Sequence, residues 1–536
     1  MINKKITVNV LVFLFFGLLN TVFAQELPEE FAEEKPDSQY QRPVSFIIYD
    51  RDYNLDPHTA CYNSEGQILN GIYEGLFSYN PKTLEAVPAI AESYEQSADK
   101  KTWTFTIRES AKFSNGKQIS PEDIRISWLT LLQNPDAQFA SLLDCIKGVS
   151  KFRQSGPKAK DKTVGIKAEG NKLILTLNEP TEHLPQILCH HAFSIVPQEK
   201  NVYSGAYILA EQNKNGIKFK KNPNYWDYAN VMIPEINFVF SSNEKENTLS
   251  FNAGESEWVI SSFDPKTIIS QNSLKISPQF GTTFLFFKNK KGSIWNDAEL
   301  RTALIKACPW EKLRNGMLIP ASTLIFPLED YPQRKGLVET DKYRAKELLK
   351  SAQKRLKIKD KNLIVKIALP KGQNYQEIAQ ILKDAWEDVG VKVQVESTPE
   401  ERYLDSIPGW EADIFSYSWI GDFADPMAFL ELFRSDSSLN VSAWSSTKFD
   451  RLLSDSAQKT GADRMKILAD AEDLLLNESE ILPINHSINI NLIDTDVLGG
   501  WYINSLDIHP LKSIFIKKQK SSIPNIVFKR NNSNRV

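Results

Sequence analysis

The sequence predicts an α/β protein built from more than one lobe, and two observations support that fold class. The chain has 536 residues, 41% of them hydrophobic and 24% charged, whereas a single hydrophobic core rarely grows beyond about 250–300 residues. Residues 363–395 have the pattern of a buried strand, an amphipathic helix and an alternating strand. Since the composition is not that of a disordered or fibrous chain, we expect several packed lobes.

Each part of the 363–395 unit has its own signal. Residues 363–369 (LIVKIAL) are almost all apolar, apolar residues within 378–389 recur on one helical face, and valines alternate at 391–395. Gly390 stands where a helix C-terminus favours glycine. The two strands are expected to pair in parallel, and such units place ligands in crevices beyond the strand ends.

A strand and a capped helix are predicted nearer the amino terminus. Apolar residues alternate within 103–107, and 113–116 (FSNG) has the composition of a turn. Ser120 then precedes Pro121 and two acidic residues, an order typical of a helix N-terminus. We therefore expect a helix that begins at Pro121.

The first 24 residues have the pattern of a signal peptide. Lys4 and Lys5 precede an apolar run at 10–19, and 22–24 (VFA) is typical of a cleavage site. The run is too short for a membrane span, which needs about 20 apolar residues. We expect export to the periplasm, cleavage near Ala24, and no lipid anchor because the first cysteine is Cys61.

The chain ends and the net charge limit the partners. Residues 25–42 are acidic and predict a flexible lead, and residues 517–536 form a basic tail. The formal net charge of −3 argues against a nucleic-acid partner, whose binding depends on clustered Lys and Arg.

The cysteines and histidines predict no metal site. Four widely spaced cysteines fit no zinc pattern, and in an exported chain they could form disulfides in any of three pairings or remain free: Cys61, Cys145, Cys189 and Cys308. His190 and His191 are adjacent, so on a strand they would point to opposite faces. We expect structural or surface roles for these histidines and no cofactor.

Short segments at separated points share the pattern of a known family. They are 55–58 with 72–76 and 88–94, 103–108 with 113–116 and 121–123, 205–207 with 221–226, and 419–422 with Pro426. In this order and spacing they resemble the family-5 extracellular solute-binding proteins, the peptide receptors of ABC importers. The resemblance covers roughly residues 45–516.

The resemblance implies a two-lobed periplasmic binding protein of type II, in the large cluster that has an extra domain. A hinge joins the lobes, and the ligand is enclosed in the cleft between them. The implied boundaries are 43–74, 199–280 and 500–516 for the first lobe, 75–198 for the extra domain and 281–499 for the second lobe.

The resemblance also implies a binding site. Ser418, Trp419 and Ile420 would offer a strand edge to a peptide backbone, Gly421 follows, and Asp422 would pair with the ligand ammonium. Without the resemblance, Asp422 would be interpreted as a solvated turn carboxylate. Asp425 is interpreted as an ordinary turn residue.

Three further site assignments leave alternatives open. Trp419 could wall a pocket or fill the core, and Phe139 could face ligand or simply pack. Cys61 lies in a loop where the family has a ligand-facing acid, so it could line the site or form half of a disulfide. The family's carboxylate-binding Arg is replaced by Ser416, and an acidic-basic pair is replaced by residues 308–311 (CPWE), so peptide length preference or peptide binding itself could differ.

Short motifs in the sequence are also compatible with other functions. Ser155 and Ser351 each begin an S-x-x-K pattern, and 459–461 (KTG) completes the set of a penicillin-recognising serine hydrolase. However, Ser155 is predicted in a Lys-rich loop, Ser351 late in a helix, and 459–461 between helices, which does not suit that mechanism. Relatives of this fold also bind nickel chelates, haem, sugars or antibiotics, and an exported receptor without an importer could act as a chaperone.

The sequence favours a non-enzymatic monomer. It is expected to capture short peptides between two lobes and deliver them to an ABC permease.

Overall fold

A computed structural model describes residues 38–156, 161–328, 330–359 and 363–518. The predicted signal peptide with its cleavage site near Ala24, residues 25–37 of the acidic lead, and residues 519–536 of the basic tail lie outside the described residues. In chain order the strands are β1 Val44–Ile48, β2 Phe77–Tyr79, β3 Ala86–Pro88, β4 Ala91–Gln96, β5 Thr102–Ile107, β6 Ile166–Glu169, β7 Lys172–Thr176, β8 Tyr207–Asn213, β9 Gly216–Lys221, β10 Glu235–Phe240, β11 Trp258–Val259, β12 Leu274–Phe287, β13 Ile364–Pro370, β14 Lys392–Thr398, β15 Ile414–Ile420, β16 Ile481–Ile493, β17 Leu498–Gly499 and β18 Phe515–Ile516.

The helices are interspersed with these strands along the chain. They are α1 Asn63–Ile72, α2 Pro121–Gln133, α3 Val149–Ser155, α4 Leu184–Ile187, α5 Glu244–Asn252, α6 Ala298–Ala307, α7 Trp310–Leu313, α8 Lys342–Leu356, α9 Gln373–Asp388, α10 Glu400–Ser406, α11 Met427–Leu430, α12 Thr447–Ser456 and α13 Gly461–Asn477.

Ten strands form one mixed sheet in the order β14-β13-β15-β12-β16-β11-β1-β10-β9-β8. The long strands β12 and β16 lie at its centre and pair antiparallel from Leu274↔Leu492 to Phe286↔Ile481, with irregular register between Pro278 and Thr282. Strand β16 joins β11 on one side, and β12 joins β15 on the other. These two long strands therefore connect the two halves of the sheet.

The strand-helix-strand prediction for 363–395 is confirmed. Strands β13 and β14 pair in parallel from Ile364↔Lys392 to Pro370↔Thr398, and α9 connects them. Gly390 has a φ of +100°, a conformation that favours glycine, directly after the end of that helix.

The helix predicted at Pro121 is also confirmed. Ser120 Oγ accepts a hydrogen bond from the Asp123 backbone N–H at 3.2 Å, and Asp123 Oδ2 accepts one from the Ser120 backbone N–H at 2.9 Å. This reciprocal pair satisfies two donors that the helix start would otherwise leave free. The alternating residues of β5 are buried as predicted.

A separate four-stranded sheet, β4-β5-β7-β6, lies within residues 75–198. The core around this sheet is continuous with the core of the half of the large sheet that contains β13–β15. Phe105 and Trp128 belong to the same buried cluster as Phe429 and Phe433. Residues 75–198 thus pack directly against the half that contains β13–β15.

The structure decides the local setting of the histidine doublet, corrects the loop predicted for Ser155, and answers the open question of the cysteines. His190 and His191 lie on no strand, since His190 caps a short 3₁₀ turn at His191–Phe193. Ser155 is the last residue of α3, where its hydroxyl donates to the Lys151 carbonyl. The four cysteines form no disulfide.

Candidate ligand-binding site

A cavity of about 250 Å³ lies between residues 61–79 and 138–194 on one side and residues 370–422 on the other. All of the residues that the sequence assigns to the site line it: Cys61, Phe139, Ser418, Trp419, Ile420, Gly421 and Asp422. The structure therefore brings together residues that are far apart in sequence, although their binding roles stay predictions.

One wall of the cavity is a strand edge with an open side. Strand β15 pairs with β12 along its whole length, but with β13 only at Ile414 and Phe415. Beyond Phe415, the structure describes no strand partner on that side. A peptide could add there as a further strand.

The hydrogen-bond alternation shows which groups face the open side. The Gly421 backbone N–H donates to the Phe280 carbonyl of the β12 side at 2.8 Å, and the Ser416 backbone N–H donates to the Tyr403 hydroxyl on the other side at 2.8 Å. Because successive residues of a strand bond to opposite sides, the backbone groups of Ser418 and Ile420 face the open edge.

Asp422 follows this edge and is 7% exposed, which excludes a solvated turn carboxylate. Its Oδ1 lies 3.5 Å from His190 Nε2, and its Oδ2 has no hydrogen-bond partner among the residues that the structure describes. Burial raises the pKa of Asp422 well above its ordinary value. Because burial disfavours the ionised form, a cation placed beside Asp422 would stabilise the carboxylate.

His190 and His191 are site residues that the sequence analysis missed. Their ring centroids are 4.1 Å apart, and the His190 ring lies 4.4 Å from that of Phe139. Burial lowers the pKa of His191 to about 4 and that of His190 well below its ordinary value. Both rings are therefore neutral near pH 7, and His190 supplies no positive charge to Asp422.

Tyr79 was missed as well. Its hydroxyl donates to the backbone carbonyl of Asp422 at 2.8 Å, across 343 residues of sequence. No local pattern marks Tyr79 or the histidine doublet as site residues, because their role depends on a contact between two distant segments.

Phe139 and Trp419 both pack against neighbouring residues and line the cavity. The rings of Phe139 and Trp419 are 6.1 Å apart, both are buried, and both line the cavity. Trp419 Nε1 donates to the Ala428 carbonyl at 2.9 Å, which fixes the indole. The two alternatives left open for these residues are thus compatible.

Cys61 is a free, half-buried thiol at the cavity wall. Burial raises the pKa of this thiol to about 12, with Glu65 adding to the effect. Cys61 therefore presents a neutral S–H and does not replace an acidic residue. Across the described residues, no three His, Cys, Asp or Glu side chains are grouped so that they could hold a metal ion.

Asp425 is more than a turn residue. Its carboxylate binds the guanidinium of Arg464 through two hydrogen bonds of 2.6 and 2.9 Å, and both side chains are largely buried. Although burial works in the opposite direction, Arg464 holds the pKa of Asp425 below its ordinary value. This pair attaches the turn after Asp422 to α13.

The two sides of the cavity are in contact around its rim. Ser438 Oγ donates to the Gln138 carbonyl at 2.6 Å and accepts from the Ser141 backbone N–H at 3.2 Å. Arg153 also donates to the Asp436 carbonyl at 3.0 Å. Because its two sides are in contact, the cavity is closed in this structure.

His183 is half-buried at this contact, and it leads to a prediction about pH. Its ring stacks on Phe423 at 5.3 Å and lies 3.4 Å from Arg464; burial lowers its pKa to about 4. If opening exposes His183, the open state binds a proton between pH 6.5 and 4, so closure is favoured above pH 6.5 and weakens as the pH falls. His183 alone should lower ligand affinity by about tenfold from pH 7.5 to 5.5, and any exposure of His190 and His191 on opening would add to this drop.

Titration calorimetry at the two pH values measures this effect. The His183→Asn variant should lose this tenfold contribution to the pH dependence. His486→Asn is the matched control. Burial also lowers the pKa of His486 to about 4, but its neighbours Thr282 and Phe326 lie on the same half of the protein as His486 itself. Equal pH dependence in the wild type and His183→Asn would contradict the prediction.

Comparison with known proteins identifies the family. The model of the bacterial extracellular solute-binding proteins, family 5 Middle, matches residues 85–440. The chain belongs to this family.

Similar family 5 proteins have names that refer to peptides. The oligopeptide-binding protein OppA of Bacillus subtilis is 27% identical over 487 residues, which cover 84% of this chain and 89% of that protein. The solved structure of the murein tripeptide-binding protein MppA of Escherichia coli has a TM-score of 0.76 at 25% identity and covers 89% of this chain and 99% of that chain.

A second structure of MppA, its unliganded open form, has a lower TM-score of 0.62 at 25% identity, with coverage of 90% and 98%. This difference agrees with the closed cavity in the present structure. The fold expected from the sequence, a two-lobed α/β solute-binding protein, is confirmed by the family match and these similarities.

The family match leaves the serine-hydrolase alternative without support. Neither Ser155 nor Ser351 lines the cavity. Ser351 lies within α8, and residues 459–461 join α12 to α13.

Proposed function

We propose that this protein is the solute-binding receptor of an ABC importer for short peptides. It encloses a peptide between its lobes, holds the amino terminus at Asp422 and pairs the peptide backbone with the open edge of β15. It carries out no catalysis, needs no cofactor and does not bind nucleic acid. It acts as a monomer that delivers its ligand to the permease.

The observation that carries this proposal is the position of Asp422 at the end of an open strand edge. A peptide has an ammonium at one end and a row of amides behind it. Asp422 offers a buried acceptor for the ammonium, and Ser418 and Ile420 offer backbone groups for the amides. A charge-assisted hydrogen bond of this kind contributes about 1.5–3 kcal/mol.

The sheet topology suggests how the receptor opens. We assign the hinge to β12 and β16, which pass between the halves, and keep the boundaries given by the sequence: 43–74, 199–280 and 500–516 for the first lobe, 75–198 for the extra domain and 281–499 for the second lobe. Opening would break the rim contacts of Ser438 and Arg153 and divide the buried cluster that residues 75–198 share with the second lobe.

The predicted signal peptide supports a periplasmic location. The amino-terminal pattern is that of a signal peptide. The names of the relatives, which refer to oligopeptides and murein tripeptides, support peptides as the ligand class.

Native mass spectrometry of the purified mature protein tests the proposal. We expect a mixture of peptides within a narrow range of length to co-purify and to be released by denaturation. Added peptide should raise the melting temperature, since a ligand at 100 times its Kd stabilises by about 2.7 kcal/mol. A single non-peptide species, or an empty protein that no peptide pool stabilises, would overturn the peptide assignment and leave the fold unaffected.

A further inference from the structure

The ionisable groups that line the cavity are acidic rather than basic, apart from two histidines. Among the described residues that line the cavity there are two carboxylates, Glu74 and Asp422, and no lysine or arginine. Of the lining histidines, His190 is buried and His191 is half-buried, and both have lowered pKa values. The wall therefore holds two carboxyl groups and no lysine or arginine among the described lining residues.

Glu74 is already neutralised by its own partners. It accepts hydrogen bonds from Tyr225 and Trp226, both at 2.7 Å, and forms an ion pair with Lys512. The charge of Glu74 is thus satisfied within the protein, and the charge that is left for a ligand is that of Asp422.

Another cation behind the lining is also engaged. Arg51 packs over the Tyr62 ring at 4.5 Å and binds Glu65 at 3.0 Å, where the Glu65 side chain is buried. Freeing Arg51 for a ligand would leave a buried carboxylate unpaired, which costs several kcal/mol. Neither Arg51 nor Lys512 is therefore available to a ligand carboxylate.

The position of the open edge sets where a ligand carboxylate would fall. A chain that begins at Asp422 and follows β15 runs towards Ser416, and strands rise about 3.3 Å per residue. Peptides of two to about six residues would end within this stretch. The groups there are neutral hydrogen-bonding groups, for example Ser416, Tyr403 and the backbone of Ser418.

We propose that the site selects ligands with one ammonium and no carboxylate inside the cavity, so that a short peptide with a neutral carboxyl end, such as a peptide amide, binds more tightly than the same peptide as a free acid. This inference rests on the proposed function. A longer peptide meets the same requirement when its free carboxylate lies beyond the cavity. Burying an uncompensated carboxylate is costly, whereas an amide needs only neutral partners.

Matched peptides test this selection. The affinities of a tripeptide amide, the same tripeptide as a free acid and a nine-residue free acid are measured by titration calorimetry at pH 7.5. We expect the amide to bind at least tenfold more tightly than the free tripeptide, and the longer free acid to fall closer to the amide. Equal affinities for the two tripeptides, or tighter binding of the free acid, would overturn the inference while leaving peptide binding intact.

An introduced cation provides a second test. Ser418 is exposed and lines the cavity, so Ser418→Lys adds an ammonium there without filling the core. We expect the preference for the amide over the free acid to shrink by about tenfold, and Ser418→Met, of similar length and no charge, to retain it. An unchanged preference in Ser418→Lys would count against the inference. If no peptide binds to the wild type in any form, the proposed function itself fails.

Discussion

Replacing Arg464 by methionine should lower the free energy of unfolding by about 3–5 kcal/mol. Arg464 and Asp425 form a two-point ion pair, with hydrogen bonds of 2.6 and 2.9 Å, and their side chains are only 9% and 13% exposed. Methionine leaves the Asp425 carboxylate buried without a counterion. The cost arises from that stranded charge more than from the lost attraction.

Urea unfolding of three variants measures this effect. The double variant Arg464→Met/Asp425→Leu should recover most of the stability, because replacing both partners removes the stranded charge. Arg451→Met is the control: the Arg451–Asp455 pair spans 3.6 Å with side chains 82% and 57% exposed, and such pairs contribute about 0–1 kcal/mol. A loss below 1 kcal/mol in Arg464→Met would contradict the prediction.

The same variant should also affect the site. Asp425 Oδ1 accepts from the Met427 backbone N–H at 2.9 Å, and Trp419 Nε1 donates to Ala428 in the helix that follows. The turn after Asp422 is therefore held at several points. A loosened turn would place Asp422 less accurately, so peptide affinity should fall together with stability.

The parts of the fold that the sequence predicts are those with a local cause. The unit at 363–395 has apolar periodicities of strand and helix, and the helix at Pro121 has its capping side chains within three residues. These signals do not depend on the rest of the chain. The site residues on β15 were predicted through the family resemblance, which supplied the long-range information that periodicity lacks.

The parts that the sequence did not predict depend on contacts between distant segments. Arg464 lies 39 residues from Asp425, and Tyr79 lies 343 residues from Asp422. His190 caps a short turn, and the sequence of the doublet does not indicate that turn. The open side of β15 exists only because β13 stops pairing at Phe415, and no feature of 414–420 itself indicates where a neighbouring strand ends.

The second large effect is expected at Asp422. Replacing it by asparagine keeps the size of the side chain and removes its charge, so a peptide with a free amino terminus should bind about 10- to 100-fold more weakly. The same peptide with an acetylated amino terminus lacks the ammonium and should bind the variant and the wild type about equally. Calorimetry with the two forms of one peptide measures the difference.

The stability of the empty protein should change in the opposite direction. In the wild type, Asp422 Oδ2 is buried without a hydrogen-bond partner among the described residues, and a neutral amide in that place avoids the desolvation of a charge. Asp422→Asn should therefore unfold at the same or a higher urea concentration, while the exposed control Asp496→Asn should change neither binding nor stability. Weaker binding combined with higher stability is the signature of a charge kept for a ligand. Equal losses of affinity for the free and acetylated peptides would remove Asp422 from the ammonium role.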